Sequence, residues 1–284
     1  MRGLLTTFKI TSLKPALRAT DVGDVESVPT LIVVPARAET AEEIEPILQT
    51  LVSLSATAPE AMALVVDDRS PAPVAQLIEA AAGELDYAYV LQQDGEGISA
   101  AINVGLAAAV DHGMDVCVVH PGLVLESAGW LERLRARTDK DGNPAAVAGG
   151  AVLQVNTTIR QAGYFFSLFR RAWAARLRNV PQELLDVEAP LLCPVSFELA
   201  LVRKPWIERA GHFDELLDGP HASLDYCLRV SAEGGQCVFE PSVRGRALET
   251  VDGEPDENGP SARRVRLKHA GVNFQRWSPE VVTR

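Results

Sequence analysis

The sequence predicts an α/β protein built around a mostly parallel β-sheet. Short β-branched runs alternate with stretches whose apolar residues recur at helical spacing, and polar or glycine-rich loops follow the runs. Strands and helices that alternate in this way form βαβ units, in which the strands lie parallel. Ligands of such sheets bind beyond the carboxyl ends of the strands, so these loops are the first candidates for a functional site.

Four strand-and-loop units account for the first half of the chain. The predicted strands are TLIVVPA, AMALVVDDRS, YAYVLQQ and DVCVVHPG, and the predicted helices between them are TAEEIEPILQTLVSL, PVAQLIEAAAGEL and ISAAINVGLAAAVDHG. The loops that end the strands are Pro35-Ala36-Arg37, Asp67-Asp68-Arg69-Ser70, Gln93-Asp94-Gly95-Glu96-Gly97 and His120-Pro121-Gly122. We expect the site to be built from these four loops.

The second half is predicted to be less regular. AAVAGGAVLQV and QCVFEPSVRGRALE are predicted strands, and LLCPVSFELALVRKP is a strand pair or one long strand. PWIERAGHFDELL is predicted as helix and turn, and LDYCLRVSAEGG as a helix that Gly234 and Gly235 stop. FSLFRRAWAARLRNV is basic and aromatic with no obvious turn, DGEPDENGPSA is a predicted mobile loop, and RRVRLKHAGVNFQRW is a predicted basic closing helix.

Composition narrows the class of protein. The formal net charge of −11 argues against a general affinity for nucleic acid or for an anionic membrane, although the basic tail 263–269 keeps a nucleic-acid acceptor as a minor alternative. The four cysteines lack metal-site spacing and are predicted to be reduced core residues. Without an apolar run of about 18 residues or a secretory signal, we expect no membrane span and a cytoplasmic location.

Seven motifs in order resemble those of the inverting family 2 glycosyltransferases with the GT-A fold, particularly their rhamnosyltransferase-like branch. They are TLIVVPARAE, VVDDRSP, QQDGEGISAAINVGLAAA, VCVVHPGLVLESAGWLERL, ERAGHFDE, SLDYCLRVSAEGGQCVFEP and NFQRW. Each motif alone is weak, but together they cover nearly the whole chain from Thr30 to Trp277. The resemblance implies a Rossmann-like, mostly parallel central sheet flanked by helices, with a small antiparallel sheet on the acceptor side.

This resemblance also implies a domain organisation. Residues 1–27 form an N-terminal arm or edge strand, and residues 28–250 form a single glycosyltransferase-like domain. Within that domain, 28–125 is the nucleotide-binding half and 126–250 the acceptor half. Residues 251–284 supply the loop and the basic C-terminal helix.

A nucleotide-diphosphate sugar is the donor that the resemblance implies. Its binding residues would be Pro35, Arg37, Glu39, Asp67, Asp68, Arg69, Gly95, Gly97, Ala101, Asn103, His120 and Gly122. Acids at a strand end can accept hydrogen bonds from a base N–H and from ribose hydroxyls, and glycines at a helix N-terminus let the backbone approach a diphosphate. Asp67 and Asp68 can equally cap the helix that begins near Pro71.

Three mechanistic positions depart from the pattern of the resembled family. Gly122 replaces the acid that holds a divalent metal, Ala222 and Ser223 replace the Glu-Asp pair that supplies the base, and Ala247 stands near the metal-binding His. One alternative is an active enzyme that neutralises the diphosphate with Arg69, Arg244 or Arg246, or with manganese or magnesium held by His120 and other groups. The other is a protein that binds a nucleotide, glycan or protein partner without turnover.

The remaining candidates concern catalysis and the acceptor. His120, His221 and Asp225 are candidate bases, although His120 can instead bond a neighbouring loop and Asp225 can be a buried acid paired with Arg229. Gly211, Phe213 and Asp214 are expected to shape the acceptor side. The acceptor itself, whether a glycan, a lipid-linked molecule or a macromolecule, stays open. An aromatic stretch lines an acceptor groove or forms core or a homodimer interface: Tyr164, Phe165, Phe166, Phe169 and Trp173.

Overall fold

A computed structural model describes residues 28–91, 95–138, 145–186, 188–217, 219–249 and 256–278. The predicted arm 1–27 lies outside these ranges. So do Gln93 and Asp94 of the third strand-end loop and residues 252–255 of the predicted acidic loop. Within the described ranges, no helix is long and apolar enough to cross a membrane.

The helices and strands up to β4 are those that the sequence predicts, whereas β5 and α4 were not predicted and the second half is more broken. The strands are β1 (Thr30–Ala36), β2 (Met62–Asp67), β3 (Ala88–Leu91), β4 (Asp115–Val119), β5 (Leu123–Leu125), β6 (Val147–Leu153), β7 (Ile159–Gln161), β8 (Tyr164–Ser167), β9 (Ala172–Ala175), β10 (Leu191–Leu192), β11 (Leu199–Val202) and β12 (Cys237–Ala247). The helices are α1 (Glu45–Thr57), α2 (Ala72–Glu84), α3 (Ile98–His112), α4 (Trp130–Thr138), α5 (Lys204–Ala210), α6 (Gly219–Ala232) and α7 (Pro260–Lys268). Short 3-10 helices cover Glu42–Ile44, Gln182–Asp186 and Phe274–Trp277.

In the described part of the chain, ten strands form one sheet with the order β10-β12-β6-β11-β4-β1-β2-β3, while β5 pairs with β12 and β7 with β6. The pairings among β4, β1, β2 and β3 are all parallel, as predicted for the first half. Beyond β4 the sheet is mixed, because β11 lies antiparallel between β4 and β6. β8 and β9 form a separate antiparallel pair, which is the small second sheet that the sequence predicts.

Helices cover both faces of the sheet. Along β1, Leu31 and Val33 belong to a core that includes residues of α3, α5 and α6, whereas Ile32 and Val34 belong to a core that includes residues of α1, α2 and α4. All seven residues of β1 are buried. A strand covered on both faces has a continuous apolar sequence, which explains why apolar and polar residues do not alternate in TLIVVPA. All four cysteines are buried with free thiols, as predicted.

Two predictions for the second half need correction. The aromatic stretch without an obvious turn contains one at 168–171, between β8 and β9, where Phe169 is 94% exposed. The closing helix ends at Lys268, because Gly271 follows and a helical glycine is unfavourable; the chain resumes as the 3-10 helix Phe274–Trp277. LLCPVSFELALVRKP does form two strands, but β10 lies at the sheet edge and β11 in its interior.

Replacing Gly105 with alanine is expected to lower the free energy of unfolding by about 1–3 kcal/mol. The added Cβ would lie 2.5 Å from both γ carbons of Val33, where α3 packs on β1. The matched control is Gly83→Ala in α2, where no atom lies within 4 Å of the added Cβ. That change is expected to be neutral or stabilising by up to about 1 kcal/mol. Urea denaturation measures both, and equal stabilities would contradict the close packing of α3.

Candidate functional site

Two adjoining cavities lie at the carboxyl edge of β1, β2 and β4. The first has a volume of about 450 Å³, and its lining includes Pro35, Arg37, Asp68, Gly97, Glu215 and Leu217. The second, of about 490 Å³, has a lining that includes Ile102, Gly122, Arg160, Glu198, Phe213, Ala222 and Ala247. Both are bordered by Ile98, Ser99, His120, Pro121 and Gly219. The predicted loops therefore meet at one site.

Hydrogen bonds fix the ends of β1 and β2 against each other. Ala36 pairs with Asp67 in the parallel register, and the Asp68 amide continues the ladder by donating to the Ala36 carbonyl at 2.7 Å. The Ala38 amide donates to Ser70 Oγ at 3.0 Å, so the loop after β1 is bound to the loop after β2. The backbone after β1 and the backbone after β2 are thus hydrogen-bonded to each other at the edge of the first cavity.

The two acids that end β2 have different roles. Asp67 is fully buried: its Oδ1 accepts from the Ser70 amide at 2.9 Å and its Oδ2 from the Tyr89 hydroxyl at 2.8 Å. Asp67 is not among the residues that line either cavity, and a role for it in nucleotide binding stays a prediction. Asp68 lines the first cavity, where its Oδ2 accepts from the Gly97 amide at 2.8 Å.

Asp68 keeps one oxygen unused within the described protein. Its carboxylate is buried, and Oδ1 accepts no hydrogen bond there. The Arg37 guanidinium lies 3.6 Å from Oδ2 and gives the carboxylate partial charge compensation. A buried acceptor without a donor is costly, so Oδ1 is a ready position for a donor group of a ligand.

The N-terminus of α3 forms the wall between the cavities. Gly97, with φ of +91°, precedes the helix, and Ile98 and Ser99 border both cavities. The first amides of a helix have no partners inside it, and the helix dipole adds positive potential there. This wall therefore suits an anionic group.

His120 lies on the same wall, opposite α3. Its amide donates to the Glu198 carbonyl at 2.8 Å, and its Nδ1 lies 2.9 Å from the Pro121 carbonyl. A carbonyl can only accept, so Nδ1 is the donor in this contact. Gly122 has φ of +81°, its amide donates to Thr50 Oγ1 at 2.9 Å, and its carbonyl accepts from the Leu248 amide at 2.9 Å. The loop is therefore fixed on both sides.

The side chains here do not fit a divalent cation. Gly122, which the motif order predicts at the family's metal-ligand position, and Ala247, predicted near the metal-binding His, both line the second cavity and offer no ligand atom in a side chain. Among the described residues, no group of three His, Cys, Asp or Glu could hold a metal ion. Magnesium in a nucleotide site is held by one or two carboxylates together with substrate phosphates, and neither Gly122 nor Ala247 supplies such a carboxylate.

The position of the family's base is also part of the second cavity, but without a carboxylate. Ala222 and Ser223 line it. Ser223 Oγ donates to the Gly219 carbonyl at 2.9 Å and accepts from the Phe197 amide at 3.1 Å, so its hydroxyl is used to join α6 to the residues before β11.

Sequence reasoning missed an ion pair in this cavity. Arg160 Nη2 lies 3.1 Å from Glu198 Oε2, and both side chains are largely enclosed. The sequence feature that could have indicated this ion pair is a single charge inside an apolar run: Glu198 interrupts VSFELALV, between Phe197 and Leu199. A lone charge in such a run requires a partner or a function.

Two of the three candidate bases lie away from both cavities. Asp225 is fully buried at the interface of α6 with α7: Oδ1 accepts from His269 Nε2 at 2.9 Å and lies 2.8 Å from Lys268 Nζ, while Oδ2 accepts from Arg229 Nε at 2.9 Å. His221 lines a separate small space with Trp173. Neither residue is among those that line the two cavities, and a catalytic role for either stays a prediction.

Several predicted residues support the site without lining it. Asn103 Oδ1 accepts from the Phe213 amide at 2.7 Å, and its Nδ2 donates to Glu215 Oε1 at 2.9 Å, so Asn103 positions the segment 213–217. Phe213 does line the second cavity. Three other predicted residues have no side-chain ion pair to form: Ala101 lies in the core, Gly95 before α3 and Gly211 at the end of α5. The remaining predicted residues form ion pairs: Glu39 with Arg37, Arg69 with Glu96, Arg244 with Asp186, Arg246 with Glu126 and Asp214 with Arg264.

The basic tail is largely engaged inside the molecule. Arg264 and Lys268 both bind Asp214, and His269 binds Asp225. These three residues attach the tail to α6 and to the loop before it, whereas Arg263 and Arg266 are exposed.

The fold is the GT-A type, which two solved glycosyltransferase structures share. The crystal structure of GalNAc-T7 with UDP, GalNAc and Mn²⁺ matches with a TM-score of 0.61 and 17% identity, over 86% of this chain and 48% of that chain. Mannosyltransferase PcManGT from Pyrobaculum calidifontis, in complex with GDP-Man and Mn²⁺, matches with a TM-score of 0.50 and 20% identity, over 86% of this chain and 62% of that chain. The chain thus spans about half the length of the first protein and less than two thirds of the second.

Membership of a family follows from the sequence comparison. The family model described as Glycosyl transferase family 2 matches residues 31–188, which is more than half of the chain. The chain belongs to glycosyl transferase family 2. A comparison with curated protein sequences gives no match.

Replacing Asp225 with asparagine is expected to lower the free energy of unfolding by about 3 kcal/mol at pH 7, because it removes a fully buried charge from the partly exposed Arg229 and Lys268. Burial by itself raises the pKa of Asp225, but the His269 and Lys268 hydrogen bonds and the Arg229 charge hold this pKa well below its ordinary value. The stabilisation is therefore present above the ordinary carboxyl pKa and is lost as the pH falls toward the folded value.

Chemical denaturation at pH 7 and in the acid range measures this effect. The difference between the wild type and the Asp225→Asn variant should shrink as the pH falls. Glu233→Gln, an exposed change just beyond α6, is the control and should alter stability by less than about 0.5 kcal/mol. A difference that stays constant with pH would contradict the ionised, ion-paired state of Asp225.

Proposed function

We propose that the protein transfers a sugar from a nucleotide-diphosphate sugar to an acceptor hydroxyl, with the nucleoside in the first cavity and the sugar in the second. The observation that carries this proposal is Asp68, a buried carboxylate at a strand end whose Oδ1 lacks a donor. Membership of glycosyl transferase family 2 supports it.

Nucleoside recognition would fall to Asp68 and its neighbours. A base N–H or a ribose hydroxyl that donates to Oδ1 satisfies the unused acceptor. Pro35 and Arg37 line the same cavity and supply an apolar surface and a cation beside it. The bond from the Gly97 amide to Oδ2 fixes the orientation of the carboxylate before a ligand arrives.

The diphosphate would lie on the wall between the cavities. There the N-terminal amides of α3 and the His120 imidazole face a shared space. Helix amides provide hydrogen-bond donors and positive potential, and a proton on Nε2 would give His120 a further donor for the departing oxygen. Because the described side chains do not fit a divalent cation, we propose transfer without a protein-held metal.

The finer assignments belong to the same proposal. The motif ERAGHFDE and the order of the seven motifs favour the rhamnosyltransferase-like branch, with altered metal and base positions. We also propose that residues 28–125 bind the nucleotide and residues 126–250 the acceptor. The proposed location is cytoplasmic, and the proposed assembly is a homodimer formed through the aromatic stretch.

A second candidate is binding of a nucleotide sugar without turnover. The observation that favours it is Ser223, whose hydroxyl joins α6 to Phe197 where the family carries its base. Release of free nucleoside diphosphate from a bound donor separates the two, because a binding protein would leave the donor intact.

Calorimetric titration with UDP, GDP and dTDP, with and without manganese, tests the donor site. We expect one of them to bind, and Asp68→Asn to weaken that binding about tenfold to a hundredfold. Asparagine retains an oxygen for the Gly97 amide but replaces the other oxygen with a donor, so the cavity keeps its shape and loses its acceptor.

Asp111→Asn is the matched control. Asp111 is exposed at the opposite end of α3, far along the helix from Gly97, and its replacement should leave affinity unchanged. Absence of binding for all three nucleotides, or equal affinity of the Asp68→Asn variant and the wild type, would refute the donor site.

A further inference from the structure

A carboxylate lies between the two positions where the family's metal and base would be. The Glu198 carbonyl accepts from the His120 amide at 2.8 Å, and the amide of the preceding residue, Phe197, donates to Ser223 Oγ at 3.1 Å. The peptide 197–198 therefore connects the loop at 120–122 to the start of α6. The Glu198 side chain lines the second cavity beside both of them.

We infer that Glu198 is the general base of the transfer reaction, in place of the carboxylate that Ala222 and Ser223 do not supply. This inference rests on the proposed glycosyl transfer. The inferred base therefore lies just before the first residue of β11 in the central sheet, and not on α6.

Enclosure distinguishes Glu198 from the other acids around the second cavity. Its side chain is 19% exposed, whereas Glu249 and Asp256 are exposed at the rim. Arg160 Nη2, from β7, lies 3.1 Å from Oε2 and compensates the charge of the carboxylate, while Oε2 accepts no hydrogen bond within the described protein. An enclosed, oriented carboxylate can meet an acceptor hydroxyl inside the cavity, while a rim carboxylate remains hydrated.

The proposed step is a displacement at the anomeric carbon of the donor sugar. The acceptor oxygen forms a bond to that carbon from the face opposite the nucleotide. The bond from the carbon to the diphosphate oxygen breaks, and its electron pair leaves with the nucleoside diphosphate. The hydroxyl proton passes to the Glu198 carboxylate, and the proposed donors at His120 and the α3 N-terminus receive the leaving group.

The test compares Glu198→Gln, Glu198→Asp and Glu249→Gln in the full chain. Nucleotide affinity is measured by calorimetry, and turnover by release of nucleoside diphosphate from UDP-, GDP- and dTDP-sugars, with water and with a panel of glycans as acceptors. We expect Glu198→Gln to bind nucleotide as the wild type does and to lose turnover by about 100-fold or more. Glu198→Asp should recover part of the rate, and Glu249→Gln should keep it.

The pH dependence separates a base from a residue that only supports the cavity. In the wild type, kcat/KM should rise with pH on the acid side, and this rise should vanish in the Glu198→Gln variant. Retained turnover in that variant, an equal loss in Glu249→Gln, or a wild type that binds nucleotide but releases none would overturn the role of Glu198. Failure of every nucleotide to bind would overturn the proposed function itself, together with this inference.

Discussion

The site depends on the parallel register of β1 with β2 and β4. Ala36 lies opposite Asp67 and Val33 opposite Val118, so the three strands end at one edge and deliver their loops to one place. A shift of one residue would exchange the faces of a strand, moving buried side chains to the opposite layer. Because both faces of β1 are covered, that shift is strongly disfavoured, and the geometry of the first cavity is a consequence of core packing.

The sequence predicts the parallel half of the fold and much of the first cavity, because both depend on local patterns. A continuous apolar run followed by acids or glycines marks a buried strand and its loop, so the order of runs and loops along the chain identifies Asp68, Gly97 and His120 as neighbours. The sequence pattern alone could not show which of the two acids, Asp67 or Asp68, lines the cavity. Which carboxylate turns inward is decided by contacts with Ser70 and Tyr89.

Two residues of the second cavity, Glu198 and Arg160, escaped prediction because they come from distant parts of the chain. Glu198 reaches it only because β11 lies between β4 and β6, and Arg160 because β7 pairs with β6. Neither pairing has a local sequence signal. The contacts of Asp225 escaped prediction for the same reason: the side of α6 that faces α7 is set by tertiary docking, and the motif around Asp225 shows only that the residue is acidic.

The contacts of α7 reach the first cavity through a single loop. Arg264 and Lys268 bind Asp214, which stands next to Glu215 in the lining, and Asn103 holds the same segment from α3. Any ligand that orders residues 213–217 must therefore also favour the docked position of α7, and by thermodynamic reciprocity a firmly docked α7 must favour the ligand. The far end of the described chain is energetically part of a site that it does not line.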